Sequence, residues 1–367
     1  MRVLVVNPGS SSLKLRLLES DDGIAAEDDL PASQGDVESA ALDAFLKRVP
    51  APDAGGVRVV HGGAHFRSSV RVDGEVLERL DGTAELAPLH NPPALQAIRI
   101  LQQARPTLPL VACFDTAFHA GMPDAAAVYA VPWRWTSEWG IRRYGFHGLS
   151  HAWASRRAAG MLERRLEDLR VVTCHLGAGA SLCAVAGGVS VDTTMGFTPM
   201  EGLVMATRSG SVDPGAILWV QRRGGLAPAD VEQALDRESG LLGVSGISAD
   251  IREVLTAAER GEGRAGLAFE VYIHRLRGLI GAMTAALGGL DVLVFTGGVG
   301  EHSAPVRSAA CATLAYLGVE LDEEHNRRAA PDAQISTTQS RVPVLVVTAR
   351  EDLEIAREVR TTLAAGT

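Results

Sequence analysis

Short apolar stretches, alternating or continuous, predict strands at Arg2–Asn7, Leu13–Leu18, Val57–Val60, Leu110–Phe114, Val171–Leu176, Leu182–Ala186 and Val292–Phe295. Between them an apolar spacing of three to four residues predicts helices. The longest is Arg264–Leu287, with Leu267, Val271, Leu276, Leu279, Ile280, Met283 and Leu287 at helical spacing and Gly288-Gly289 as its stop. Further helices are expected at about Pro93–Ala104, from about Pro305, and at the C-terminus after Glu351. Residues 20–56 are polar and rich in Ala, Asp, Gly and Pro, which reads as a loop with one short helix near Val37–Arg48. Strands that alternate with helices make this an α/β chain. At about 150 residues per domain, 367 residues correspond to two domains, each able to bury its own core.

The turns between these elements carry the first chemical signal. Pro8-Gly9-Ser10-Ser11-Ser12, followed by Lys14, joins the first two strands, and Gly177-Ala178-Gly179-Ala180-Ser181 joins the second such pair. Small residues let backbone N–H groups approach an anion, and hydroxyls and a lysine add to that cradle. Neither turn is a Walker loop, because Lys14 follows Leu13 and leads into a strand rather than a helix. They read instead as two halves of one nucleotide-phosphate clamp. A third glycine-rich turn, Thr296 to Glu301, lies between a strand and a helix, where N–H groups and the helix dipole favour phosphate or ribose.

Asp115 ends a predicted apolar strand, and ligands of open α/β sheets gather at carboxyl ends of strands. Arg58 and Arg208 lie beside the glycine-rich turns. A loop arginine is ordinarily a solvated charge, but two of them flanking phosphate turns supply the fixed positive charge that phosphoryl transfer requires. His147 and His151 stand four apart; without the glutamate of an H-E-x-x-H helix, a hydrogen-bonding role near phosphate is preferred to zinc. His61, His90 and His175 neighbour Gly or Pro at element ends, where a structural histidine is the alternative to a functional one. No G-x-S-x-G elbow marks a nucleophilic serine, and Ser10, Ser11 and Ser12 serve equally as turn residues.

Composition narrows the class. Apolar residues make up 46% and charged ones 22%, an ordinary globular balance, and the net charge of −9 argues against a general nucleic-acid binder. Cys113, Cys174, Cys183 and Cys311 are scattered among apolar neighbours with no C-x-x-C pair, so buried free thiols are expected. No uncharged apolar stretch reaches the length of a membrane span, and the chain opens on a strand rather than a signal sequence. A cytoplasmic location is expected, with no membrane and no nucleic-acid partner.

Eight motifs in one order then carry a resemblance. They are Asn7 to Lys14 (NPGSSSLK), Arg58 to Gly63 (RVVHGG), Leu86 to Pro93 (LAPLHNPP), Phe114 to His119 (FDTAFH), Tyr144 to His151 (YGFHGLSH), Met195 to Gly202 (MGFTPMEG), Thr207 to Pro214 and Phe295 to Glu301. With these the chain resembles acetate kinases, of the sugar kinase, Hsp70 and actin superfamily, over most of its length. The resemblance implies two actin-like, ribonuclease H-like ATPase domains with a nucleotide cleft between them. Residues 1–119 plus 352–367 would form the acyl-substrate domain and 120–351 the nucleotide domain. It also implies a homodimer and the reaction of ATP with acetate to ADP and acetyl phosphate, with Mg2+ or Mn2+. Propionate or butyrate kinase is the alternative within the family, and a nucleotide-binding sensor without phosphotransfer the alternative outside it.

By resemblance, Asp115, His147 and Arg208 are the catalytic residues. Arg58 binds the carboxylate or acyl phosphate, and Val60, Leu89, Phe146 and Pro199 line the acyl group. Lys14 meets the ATP phosphates, and the nucleotide segments are His175, Leu176, Gly177, Ala178 and Gly179; Asp250, Ile251 and Arg252; and Gly298, Val299, Gly300, Glu301 and His302. Asn7 and Glu351 hold the metal ion. A carboxylate nucleophile is already ionised, so the chemistry asks for positioning and charge neutralisation rather than a strong base. The chain departs from the family pattern at Ala178 and Ala180, where Asn and Ser are usual, at Ser211, at His302 and at Arg350, and its segment before Arg58 is shorter. None of these removes a charged catalytic residue. Arg350, next to Glu351, is expected to point away from the ion, toward solvent or an acidic partner.

Overall fold

A computed structural model describes residues 1–9, 12–31, 39–88, 90–330 and 332–366; Ser10, Ser11, Leu89 and the first two residues of the helix expected near Val37 lie outside the described residues. The chain divides into two compact units, Met1–Gly121 with Phe146–Trp153 and Arg350–Thr367, and Met122–Gly145 with Ala154–Ala349. Relative to the division expected above, the short return segment Phe146–Trp153 and the Arg350-Glu351 pair fall in the first unit.

In the first unit the strands are β1 (Val3–Pro8), β2 (Ser12–Leu18), β3 (Ile24–Pro31), β4 (Ala54–Val59), β5 (Val70–Arg71) and β6 (Leu110–Phe114). They form a sheet in the order β3-β2-β1-β4-β6-β5. β1, β4 and β6 run parallel, and the β1–β2 hairpin sets Asn7 opposite Lys14. Alternate residues serve opposite faces, as the pleat dictates. Leu4, Val6, Val57 and Val59 pack with Leu95, Ile98 and Leu101 of the helix Asn91–Ala104. Val3, Val5, Val111 and Cys113 pack with Ile355, Ala356 and Val359 of the helix Glu351–Ala365. That C-terminal helix lies close because Gly56 has no side chain: a Cβ there would stand 2.6 Å from both Ile355 and Val359. The packing brings Glu351, the first residue of the helix, to the carboxyl ends of β1, β4 and β6.

β3 corrects the expectation of a loop over residues 20–56. Its sequence, IAAEDDLP, is poor in β-formers, and it is held as an edge strand by its ladder with β2. Arg16 ties it further, with ion pairs to Glu27 at 3.0 Å and Asp29 at 2.7 Å.

The second unit contains β7 (Arg170–Leu176), β8 (Ala180–Ala186), β9 (Val189–Thr193), β10 (Val292–Thr296), β11 (Ala333–Gln334) and β12 (Val344–Val346). Their order is β11-β12-β10-β7-β8-β9. Read from the other edge this is the first sheet again with six added to every label: an antiparallel three-strand meander, two parallel strands and an antiparallel edge strand. The duplication is that of actin-like ATPase domains. The helix Gly263–Leu287 follows the expected apolar spacing and stops at Gly288, which is left-handed. The glycine-rich stretch after β10 is a helix, Gly297–His302, rather than an open turn, followed by the helix Ala304–Cys311. All four cysteines are buried thiols outside any disulfide; burial pushes the thiols of Cys113, Cys183 and Cys311 up to about 12, so they stay protonated. No helix among the described residues is long and apolar enough to cross a membrane.

Candidate active site

In the first unit, three parallel strand ends deliver Asn7, Arg58 and Asp115 to one place. Arg58 donates from Nε to Asp115 Oδ1 at 2.9 Å and from Nη2 to Oδ2 at 2.6 Å, a bidentate pair. Its Nη1 donates to Asn7 Oδ1 at 3.1 Å, and Asn7 Nδ2 donates to Glu351 Oε2 at 2.9 Å. The Asp115 side chain is 1% exposed and that of Arg58 15%. Burial opposes the guanidinium charge, but Asp115 and Glu351 outweigh it and raise the pKa of Arg58 above its usual value. With two carboxylates for one arginine the cluster is net acidic. Two of the five N–H groups of Arg58 are left without a partner among the described residues.

The turn after β4 is built to be rigid. His61 N donates to Asn91 Oδ1, Gly62 N to Thr116 Oγ1 and Gly63 N to His61 Nδ1, all at 2.9 to 3.0 Å. Asn91 Nδ2 returns to the carbonyl of His61 at 2.9 Å. His61 is therefore a structural anchor, with its ring edge-on to Phe146 at 5.5 Å. Val60 and Phe146 are both buried beside this turn.

His147 has φ +56°, a left-handed conformation that costs an ordinary residue roughly 1–2 kcal/mol. It precedes rather than joins the helix Gly148–Met161. Gly148 N donates to Asp115 O at 3.1 Å, and a Cβ on Gly148 would lie 2.0 Å from that oxygen, so only glycine lets the chain pass there. On the other side His119 Nε2 donates to Phe146 O at 3.0 Å. The His147 and His151 rings are edge-on at 6.5 Å, and among the described residues no group of three His, Cys, Asp or Glu side chains is placed to hold a metal ion.

In the second unit, a cavity of about 740 Å3 opens beside the β7–β8 turn. Of the residues expected at a nucleotide, Gly177, Ala178, Asp250, Ile251, Arg252, Gly298, Val299 and His302 line it. Ala206, Leu241, Ala249, Leu255, Tyr272, Ser303 and Pro305 complete the wall, most of them apolar, and sequence patterning alone did not single them out. His175, Leu176, Gly179, Gly300 and Glu301 do not line it; Leu176 is fully buried, and Glu301 accepts from Ala349 N at 3.0 Å. Gly297, with φ +78° and only 2.8 Å from its Cβ position to Leu176 O, is required by the backbone, whereas the Cβ position of Gly298 meets nothing within 4 Å. Asp250 caps the helix Ile251–Glu259 by accepting from Arg252 N at 2.8 Å.

Arg208 is aimed by two partners: Nε donates to Asp236 Oδ1 at 2.9 Å and Nη1 to Pro199 O at 3.3 Å. The loop that carries Pro199 is itself clamped. Arg143 donates to Glu201 Oε1 at 2.8 Å and to the carbonyls of Thr194 and Met195, and Tyr129 bridges Glu201 and the Phe197 N–H. Asp236, Tyr129 and Arg143 are distant in sequence from the motifs they support. Lys14 is exposed on β2. Arg350 pairs with Asp352 in the first turn of the C-terminal helix, Nη2 to Oδ2 at 2.8 Å.

Comparisons with known proteins show the family of the chain. The Acetokinase family profile matches residues 39–357. An acetate kinase of Synechococcus sp. (strain JA-2-3B'a(2-13)) is 47% identical over 395 aligned residues, covering 97% of this chain and 98% of that one. The crystal structure of Porphyromonas gingivalis acetate kinase superposes with a TM-score of 0.91 at 36% identity, covering 99% of both chains. A propionate kinase from Francisella tularensis subsp. tularensis SCHU S4 superposes with a TM-score of 0.90 at 37% identity, covering 98% of this chain and 99% of that one. Family match, long-range identity and duplicated fold agree: the chain belongs to the acetokinase family.

Proposed function

We propose that the chain is an ATP-dependent carboxylate kinase whose substrate is acetate, converting ATP and acetate reversibly to ADP and acetyl phosphate. The observation that carries this reading is the buried Arg58–Asp115 pair, with Asn7 and Glu351 beside it. An acetate oxygen attacks the γ-phosphorus, the new O–P bond forms as the bond to the β-phosphate oxygen breaks, and ADP leaves. No proton moves, so orientation and charge neutralisation are the whole task. Asp115 and Asn7 fix the guanidinium of Arg58, whose unpartnered N–H groups take the carboxylate. Val60 and Phe146 supply the apolar wall for the methyl group. Arg208 and His147 stabilise the phosphoryl group in flight. The cavity beside the β7–β8 turn takes the nucleotide, with the Gly297–His302 helix offering backbone N–H groups.

Mg2+ prefers oxygen donors, uses one or two carboxylates and keeps several waters. Glu351 fits that requirement, and Asn7, which donates to Glu351, orients it. A bound Mg2+ supplies charge neutralisation of the phosphates. In titrations of activity against Mg2+, Glu351→Gln is expected to need about tenfold more metal or above, since a formal charge is removed from the site. Arg350→Asn, whose arginine is engaged by Asp352, is expected to track wild type. A large fall in its metal requirement would mean that Arg350 faces the ion.

Gly298→Met is expected to raise the KM for ATP at least tenfold (about 1.4 kcal/mol) and to spare acetyl phosphate, because the side chain would enter the open space at that position. Unchanged ATP kinetics would move the nucleotide elsewhere. The assembly proposed is a homodimer, with Leu218, Trp219 and Val220, all exposed on the helix Pro214–Gly224, as apolar surface for it. Sedimentation velocity that gives a monomer at micromolar concentration would remove this element. Buried free thiols suit the reducing cytoplasm.

The reading as a whole is tested by a hydroxamate assay with purified protein, Mg-ATP and acetate, propionate or butyrate. The likeness to a propionate kinase makes propionate the second candidate, and one methylene changes specificity only by about 1–3 kcal/mol. The highest kcat/KM with acetate is expected; no acyl hydroxamate from any of the three would end the assignment.

A further inference from the structure

His147 sits in a conformation that an L-residue holds only when its surroundings impose it, and two bonds do so here. After it, Gly148 N is tied to Asp115 O; before it, Phe146 O is tied to His119. His119 is 1% exposed and ends the short turn Ala117–His119 that follows β6. Burial lowers its pKa to about 4, although the Phe146 carbonyl opposes the shift, so the ring is neutral in the physiological range. With a carbonyl as its acceptor, Nε2 carries the hydrogen. The ring also packs edge-on to His151 at 5.7 Å, and His151 N in turn donates to His147 O at 2.9 Å. His119 thus bonds the peptide just before His147 and packs against the ring of the residue whose N–H holds the His147 carbonyl.

We infer that His119 is a positioning residue for the reaction: its hydrogen bond to Phe146 O holds His147 in the left-handed conformation that aims the imidazole. The inference rests on the role of His147 proposed above. Without the bond, the chain at Phe146-His147 relaxes toward negative φ and swings the ring away, while the bulk of the first unit keeps its core.

Five variants test it in the full-length protein, by steady-state kinetics with Mg-ATP and acetate. His119→Leu should lower kcat about 10- to 100-fold, the effect of a displacement near 1 Å, and leave the KM for ATP within about twofold. His119→Gln, whose Nε2 amide reaches the position of the imidazole donor, should recover to within about fivefold of wild type, while the shorter His119→Asn should not. Should His119→Leu fail to fold, the Gln and Asn pair carries the comparison alone. On a His147→Ala background, adding His119→Leu should cost no more than about twofold, because a residue that acts through His147 has nothing left to position. Equal losses in the presence and absence of His147, or wild-type kcat in His119→Asn, would overturn the inference while leaving the role of His147 intact. Wild-type kcat in His147→Ala would instead overturn the role of His147 and the inference with it.

Discussion

Arg208→Ala is expected to lower kcat by about 100-fold or more while moving the KM for ATP by no more than about threefold. The charge of Arg208 is worth most when the phosphoryl group is between donor and acceptor, and loss of one preorganised donor of this kind costs about 2.7–4 kcal/mol of transition-state stabilisation. The preorganisation is visible: Asp236 takes Nε and Pro199 O takes Nη1, so the guanidinium plane is set before substrate arrives. Arg208→Lys should rescue little, because an ammonium cannot use both partners and still present a planar fork. Asp236→Ala should fall between wild type and Arg208→Ala, since the charge remains but loses its aim. Steady-state kinetics with Arg208→Ala within threefold of wild type would remove Arg208 from the chemistry.

The parts of this molecule that could be read from the chain are those whose cause is local. The strands β1, β6 and β10 are continuous apolar runs, and the helix Gly263–Leu287 repeats its apolar residues over seven turns, so their burial follows from neighbours in sequence. β3 was not readable, because Glu27, Asp28 and Asp29 become strand residues only through the ladder and ion pairs that β2 offers. The Gly297–His302 helix reads as an open turn in the sequence because glycine has poor helix propensity, and the Leu176 backbone close to Gly297 explains why a glycine opens it. Reactive side chains were legible by type and motif, but their supports were not. Asp236, Arg143 and Tyr129 reach the motif residues they hold across separations that no periodicity records.

The duplicated sheets carry different side chains at equivalent strand ends. With their first hairpins matched, Pro8 against Leu176, the strand-end positions occupied by Asn7, Arg58 and Asp115 in the first sheet carry His175, Thr296 and Ala349 in the second. Two residues beyond Arg58 and Thr296, Val60 matches Gly298. On the function proposed above, the same scaffold would offer buried charge to a small carboxylate in one copy, and uncharged or smaller side chains beside a glycine-rich backbone to a phosphate chain in the other. A fold of this kind fixes where ligands meet the sheet; the side chains decide which ligand.

The Arg58–Asp115 pair gives the sharpest separation of stability from function. Asp115→Ala is expected to destabilise the protein by about 3–5 kcal/mol, because it breaks a buried ion pair and leaves the guanidinium with the Asn7 amide as its remaining hydrogen-bond partner. Replacing both residues by apolar ones of similar size, Arg58→Met with Asp115→Leu, should restore stability to within about 1 kcal/mol of wild type, since a buried ion pair roughly breaks even against well-packed hydrophobic side chains. Activity should not return. Without Arg58 the cation proposed to hold the acetate carboxylate is gone, and the double variant should lose at least about 1000-fold in kcat/KM for acetate, equivalent to about 4 kcal/mol. Urea unfolding and the hydroxamate assay on the same three proteins check both halves. A double variant that is stable and also active would make the pair a structural element and leave carboxylate binding to another cation; one that is as unstable as Asp115→Ala would mean that the pair also holds the strand ends together.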